Sequence, residues 1–156
     1  MSFTLTSPVT GGAQTGFTSP TYTIAVDTAP SNSGKQYAVS TIGGTQTGVD
    51  SSSSPSRPFT VTLSRPPVLR QLPSVNQVTG ILGSVPKNSY KILVRKGVTC
   101  LAGQVPQVLL ASVTIDVPAG ADAADPANVR AAISLLIGSL NSISASIGDT
   151  AVTGVI

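Results

Sequence analysis

Apolar and polar residues alternate with period two over Phe59-Thr60-Val61-Thr62-Leu63-Ser64. Phe59, Val61 and Leu63 fall on one side of a strand and three hydroxyls on the other. Residues 90–96 repeat the pattern, with Tyr90, Ile92 and Val94 opposite Lys91, Leu93 and Arg95. In residues 108–117, Ala111, Val113, Ile115 and Val117 oppose Ser112, Thr114 and Asp116. Strands with one apolar and one polar face predict an antiparallel sheet that is covered on one side and wet on the other. Shorter β-branched stretches at 3–7, 21–26 and 36–42 predict further strands, with Gly11-Gly12, Ser19-Pro20 and residues 30–34 as turns. Residues 43–58, rich in Gly, Ser and Thr, read as a long mobile loop, and residues 66–88 as a second long connection.

The period changes near the end of the chain. Asp125-Pro126 predicts a helix start, with Asp as N-cap and Pro in the first turn. Val129, Ile133, Leu136, Ile137 and Leu140 follow as one apolar stripe. Asn141-Ser142 predicts an end or kink, and a short second helix around Ile143 and Ile147 is expected to break at Gly148. Strands first and helices last make an α+β chain, read as one domain over residues 1–156. Helices so short cover a wide sheet face thinly, and a dimer with its helices across a joint sheet is the economical solution.

Composition removes most chemistry. The chain has no His, no Trp, no Glu and one Cys, Cys100, so the usual zinc sites, Ser-His-Asp triads and intrachain disulfides are unavailable. A non-enzyme without metal or cofactor is expected. No stretch approaches the roughly 18 apolar residues of a membrane span, and residues 1–6 lack the basic and apolar parts of a secretory signal. The reading is a soluble, intracellular product with no membrane partner; the apolar helix has no flanking Lys or Arg to suit a bilayer surface. Only 10% of residues are charged, which suits a protein that hides its surface against copies of itself.

The net charge of +3 is unevenly placed. No acid lies between Asp50 and Asp116, yet Arg57, Arg65, Arg70, Lys87, Lys91, Arg95 and Lys96 do. Such a segment is either the footprint of a polyanion or a solvated basic face.

In their order, 57–64, 89–96 and 111–117 with the apolar helix behind them resemble the coat proteins of single-stranded RNA bacteriophages, the leviviruses. The resemblance implies an N-terminal hairpin (residues 1–30), a five-stranded antiparallel sheet (36–117) and two C-terminal helices (125–156) in an intertwined dimer. It implies dimers building an icosahedral T=3 shell in the bacterial host cytoplasm, around single-stranded genomic RNA, with no small-molecule substrate. In that family Val129, Ile133, Leu136, Ile137 and Leu140 would form the dimer interface. Gly97, Val98, Thr99, Cys100 and Leu101 would form the loop between dimers, where a buried free thiol at Cys100 is expected. The family's repression of replicase translation through an RNA hairpin is also implied. If the strands pair as in that family, Lys91 and Arg95 share a polar face with Thr60, Thr62 and Ser64, offering RNA cations for phosphates and hydroxyls for bases or sugars, and Ser112 and Thr114 extend it. An ordinary wet sheet face carries the same residue types. The leading function is then an RNA-packaging capsid subunit; a fibre, pilin or tail subunit and a non-assembling nucleic-acid-binding regulator are the alternatives, and the acid-free basic segment favours the first over the second. Two positions depart from it: Leu110 replaces a base-stacking aromatic, and Leu93 a Lys near the adenine pocket. The 66–88 connection is longer than the family's and is expected to add structure at the inner surface or the dimer edge.

Overall fold

The computed structural model describes residues 3–156. Six strands form one antiparallel sheet in which every strand pairs with its sequence neighbours: β1 (Val9–Thr10), β2 (Thr18–Asp27), β3 (Gly34–Thr45), β4 (Phe59–Ser64), β5 (Lys87–Val98) and β6 (Gln107–Pro118). Three helices follow, α1 (Ala121–Ala124), α2 (Pro126–Ser142) and α3 (Ser144–Thr153). The expected hairpin plus five-stranded sheet is therefore a single six-stranded meander, because β1 pairs with β2 through Val9↔Tyr22 and Thr10↔Thr21.

Several local expectations change for identifiable reasons. Residues 3–7 form no strand, and pairing begins only after Pro8, which has no N–H to give to a ladder. Leu5 is apolar because it lines a hollow over the sheet. Ser19-Pro20 is an irregularity inside β2, where Ser19 takes φ +45° and the register shifts between Thr18 and Thr21. Gly44 opposite takes φ +72°, and a Cβ there would strike the carbonyls of Thr18 and Ser19. The 43–58 loop shortens to 46–58, since β3 runs on to Thr45. It is pinned: Ser53 donates its N–H to the Val39 carbonyl, and Arg57 bridges to Asp50 at 2.8 Å.

Asp125 caps α2 as expected, accepting from the Asn128 N–H with Pro126 in the first turn. The helices bend by 60° at Ile143. Gly148 does not break α3. It makes room for the Gln14 side chain, which donates to the Ser144 carbonyl at 2.6 Å and ties α3 to the β1–β2 connection. Thr15 adds a hydrogen bond to Asp149 at 2.8 Å.

The single chain covers little of itself. Among the described residues, Tyr37, Val39, Leu63 and Ala119, with Pro20 in β2, are the only buried apolar side chains, and no helix buries any residue. A compact monomer of this mass exposes about 7,300 Å², whereas this chain exposes 10680 Å². The excess, about 3,400 Å² by the same scaling, matches what an obligate assembly buries rather than what a monomer leaves wet.

Candidate nucleic-acid interface

Strand register decides which side chains share a face. Thr60↔Arg95, Thr62↔Leu93 and Ser64↔Lys91 join β4 to β5, and Lys91↔Thr114, Leu93↔Ser112 and Arg95↔Leu110 join β5 to β6. Directly opposed residues point to the same side. The fold thus gathers Thr60, Thr62, Ser64, Lys91, Arg95, Ser112 and Thr114 on one polar face. Lys87 belongs there too, four residues before Lys91 on the same unbroken strand. Sequence reading missed it because residues 87–89 lack apolar alternation; extending the odd-numbered positions of β5 backwards would have found it. Lys87, Lys91 and Arg95 stand about 13 Å apart in succession.

The threonines are not the wet hydroxyls expected from the alternation. Thr60 and Thr62 are 4% and 7% exposed, Thr60 between Ala38 and Arg95 and Thr62 between Gln36 and Leu93. The Arg95 Nε–H donates to Thr60 Oγ1 at 3.2 Å, and Thr62 Oγ1 donates to Gln36 Oε1 at 2.9 Å. Gln36 in turn donates to Asp27 at 2.7 Å. That hydrogen bond, with a second from the Thr28 N–H, holds the Asp27 carboxyl below its ordinary range. A hollow of about 460 Å³ opens here between Arg95, Thr60, Asp27 and the 53–55 segment. Asp116 is the other acid on this face, engaged by the Ser89 hydroxyl. Ser64 is half-buried, while Lys91, Ser112 and Thr114 are exposed.

The other face is apolar. Tyr22, Ile24, Val39, Phe59, Val61 and Val94, with Leu5 and Val9, wall a hollow of about 330 Å³. Tyr22 meets Phe59 edge-on with centroids 5.6 Å apart, and burial raises the Tyr22 pKa. Lys96 points to this face, 4.3 Å from the Phe59 centroid. Its desolvation lowers its pKa, partly opposed by Asp50. Asp50, hydrogen-bonded by Arg57, is held below the usual carboxylate range.

The expected interface residues on α2 divide. Val129, Ile133 and Leu136 are half-buried, Val129 and Ile133 against the end of β6, while Ile137 (62% exposed) and Leu140 point to solvent. Gly97 and Val98 belong to β5 rather than to the following loop, and Gly97 is buried because a Cβ there would lie 2.7 Å from Arg57 Cα. Thr99 accepts from Arg57 at 3.1 Å. Cys100 is a free thiol and is exposed in the single chain. Leu101 beside it is exposed as well. The described residues contain no cluster of three or more metal-ligating side chains.

No family model and no curated protein matches the chain. Among solved structures it is similar to the virus-like particle of bacteriophage ESE020, at 52% sequence identity and a TM-score of 0.95, over 99% of this chain and 100% of that one. An identity of that size over whole chains, with the same six-stranded sheet and C-terminal helices, places this protein among structural capsid proteins: it belongs to the family of bacteriophage coat proteins.

Proposed function

We propose that the chain pairs through its β6 edge into a homodimer whose helices cover the joint apolar face. Dimers then close into an icosahedral shell, assembled in the bacterial host cytoplasm, around single-stranded genomic RNA. The observation that carries this reading is the asymmetry of the sheet. Lys87, Lys91 and Arg95 lie on one face, and an open apolar hollow with the exposed side of α2 lies on the other. The apolar side seeks protein and the cationic side seeks phosphate. β6 is a twelve-residue edge strand with no strand on its outer side among the described residues, which suits extension by a second copy.

In this account Lys87, Lys91 and Arg95 contact phosphates, and Ser64, Ser112 and Thr114 contact the sugar–phosphate chain. Thr60 and Thr62 act one step back, holding Arg95 and Gln36 in place. The face binds RNA broadly. Leu110 and Leu93 supply neither an aromatic stack nor a cation for one chosen hairpin, so translational repression is left out of the proposal. Expression of the chain alone tests it. Closed, nuclease-resistant particles with strong absorbance at 260 nm are expected. Filaments would favour a fibre or tail subunit, empty shells would remove the RNA role, and unassembled RNA-binding dimers would favour a regulator.

A further inference from the structure

The connection between β4 and β5 is long, apolar and outside the polar face. Arg70 and Asn88 exchange two hydrogen bonds, Arg70 N–H to Asn88 Oδ1 at 2.8 Å and Asn88 Nδ2 to the Arg70 carbonyl at 3.1 Å. Asn88 pairs with Val117, on the apolar face, and Leu72 packs against Gly120. The root of the connection is therefore fastened beside the end of β6. Beyond Leu72 the chain leaves the body and closes on a built turn. The Asn76 N–H donates to the Ile81 carbonyl, the Gly80 N–H to the Asn76 carbonyl, and Asn76 Oδ1 accepts from Val78 and Thr79. This preformed tip displays Val75, Val78 (94% exposed) and Ile81 to solvent.

We propose that residues 73–82 are an arm that docks on a second copy of the chain, over the start of that copy's β6. The inference rests on the β6-edge dimer. Opposed residues of an antiparallel pair share a face, so the two-fold axis must pass at a residue and not between two. With the axis at Val113 or Ser112, in the middle of β6, Leu109 of the partner subunit lies opposite Val117 or Ile115. Leu109 is on the apolar face, paired with Lys96, and is exposed in the single chain, as are Val105 and Leu101 before it. The four residues from Leu72 to Asn76 reach about 13 Å, and adjacent strands are about 4.8 Å apart. The tip is thus long enough to span the joint and reach the strip of Leu101, Val105 and Leu109, which is exposed in the single chain. Residues 73–82 carry no charged side chain, so laying them on the apolar strip desolvates no charge.

Two cysteine variants in a Cys100→Ser background separate this inference from the one beneath it. In the first, Val78→Cys is combined with Val105→Cys, and purified dimers are treated with a short bismaleimide. Most of the chain should shift to a band of twice the mass, and each single-cysteine variant should stay monomeric on the gel. The second, Ser112→Cys alone, lies on the open polar face, reports β6 pairing and should cross-link with itself. If Ser112→Cys links while the double variant does not, the arm inference falls and the dimer stands. Links formed only within one chain, or only in assembled particles, also overturn it. If Ser112→Cys fails to link, the β6 dimer itself is wrong.

Discussion

Replacing Lys91 and Arg95 by Ala removes two cations from the polar face without touching the apolar one, because Tyr90, Ile92 and Val94 point the other way. Along β5 the cations are about 13 Å apart, so each meets a different phosphate of a single-stranded RNA. Each lost contact lowers the slope of log affinity against log salt by about 0.7 for single strands. The pair should therefore lower it by about 1.4, and adding Lys87→Ala by about 2.1. Between 50 and 200 mM salt the wild-type protein should lose about twentyfold more affinity than the triple variant. The assay is filter binding or fluorescence anisotropy of unassembled dimers with poly(U) at several salt concentrations. Dimer integrity is followed by sedimentation. Lys96→Ala is the control, since Lys96 lies over Phe59 on the opposite face and should leave the slope unchanged. An unchanged slope in the triple variant, with intact dimers, would refute the assignment of this face to RNA.

Leu136→Asp should abolish soluble dimer. It forfeits about 2 kcal/mol of apolar burial and places a charge where the helices are proposed to pack; a stable folded monomer in sedimentation would contradict an obligate dimer. Asp50→Asn should loosen the 46–58 loop at neutral pH. Because Arg57 depresses the folded-state pKa of Asp50, the stabilisation exists above the ordinary carboxylate pKa and disappears as pH falls through the folded one. Melting curves of the two proteins should therefore differ at pH 7 and converge as the pH falls below the ordinary carboxylate range. A constant gap would show that the charge is irrelevant. Gly44→Ala should cost about 1–3 kcal/mol, since it strains a left-handed residue and drives a methyl into the Thr18 and Ser19 carbonyls. An unshifted urea midpoint would show that β2 can relax there.

Period-two alternation placed β4 residue for residue and the centres of β5 and β6, because those strands have one apolar face and side chains record it. It failed at 3–7, where the apolar Leu5 caps a hollow and makes no ladder, and at Ser19-Pro20, where a turn signature serves a strand irregularity. Asp125-Pro126 marked the α2 start because a cap is local chemistry. Gly148 misled because its reason, the Gln14 side chain, comes from the other end of the chain. Within the site, faces followed from parity, but accessibility did not. Thr60 and Thr62 sit beneath Arg95 and Gln36, which only the strand register places beside them.

The most direct test of the whole account is the electron cryomicroscopy density of particles formed by the chain expressed alone. A closed shell is expected, with β6 paired to β6 across two-fold axes. Nucleic-acid density should lie within contact of Lys91 and Arg95 on the inward face. A shell whose polar sheet face points outward, or whose nucleic-acid density contacts other residues and avoids Lys87, Lys91 and Arg95, would contradict it.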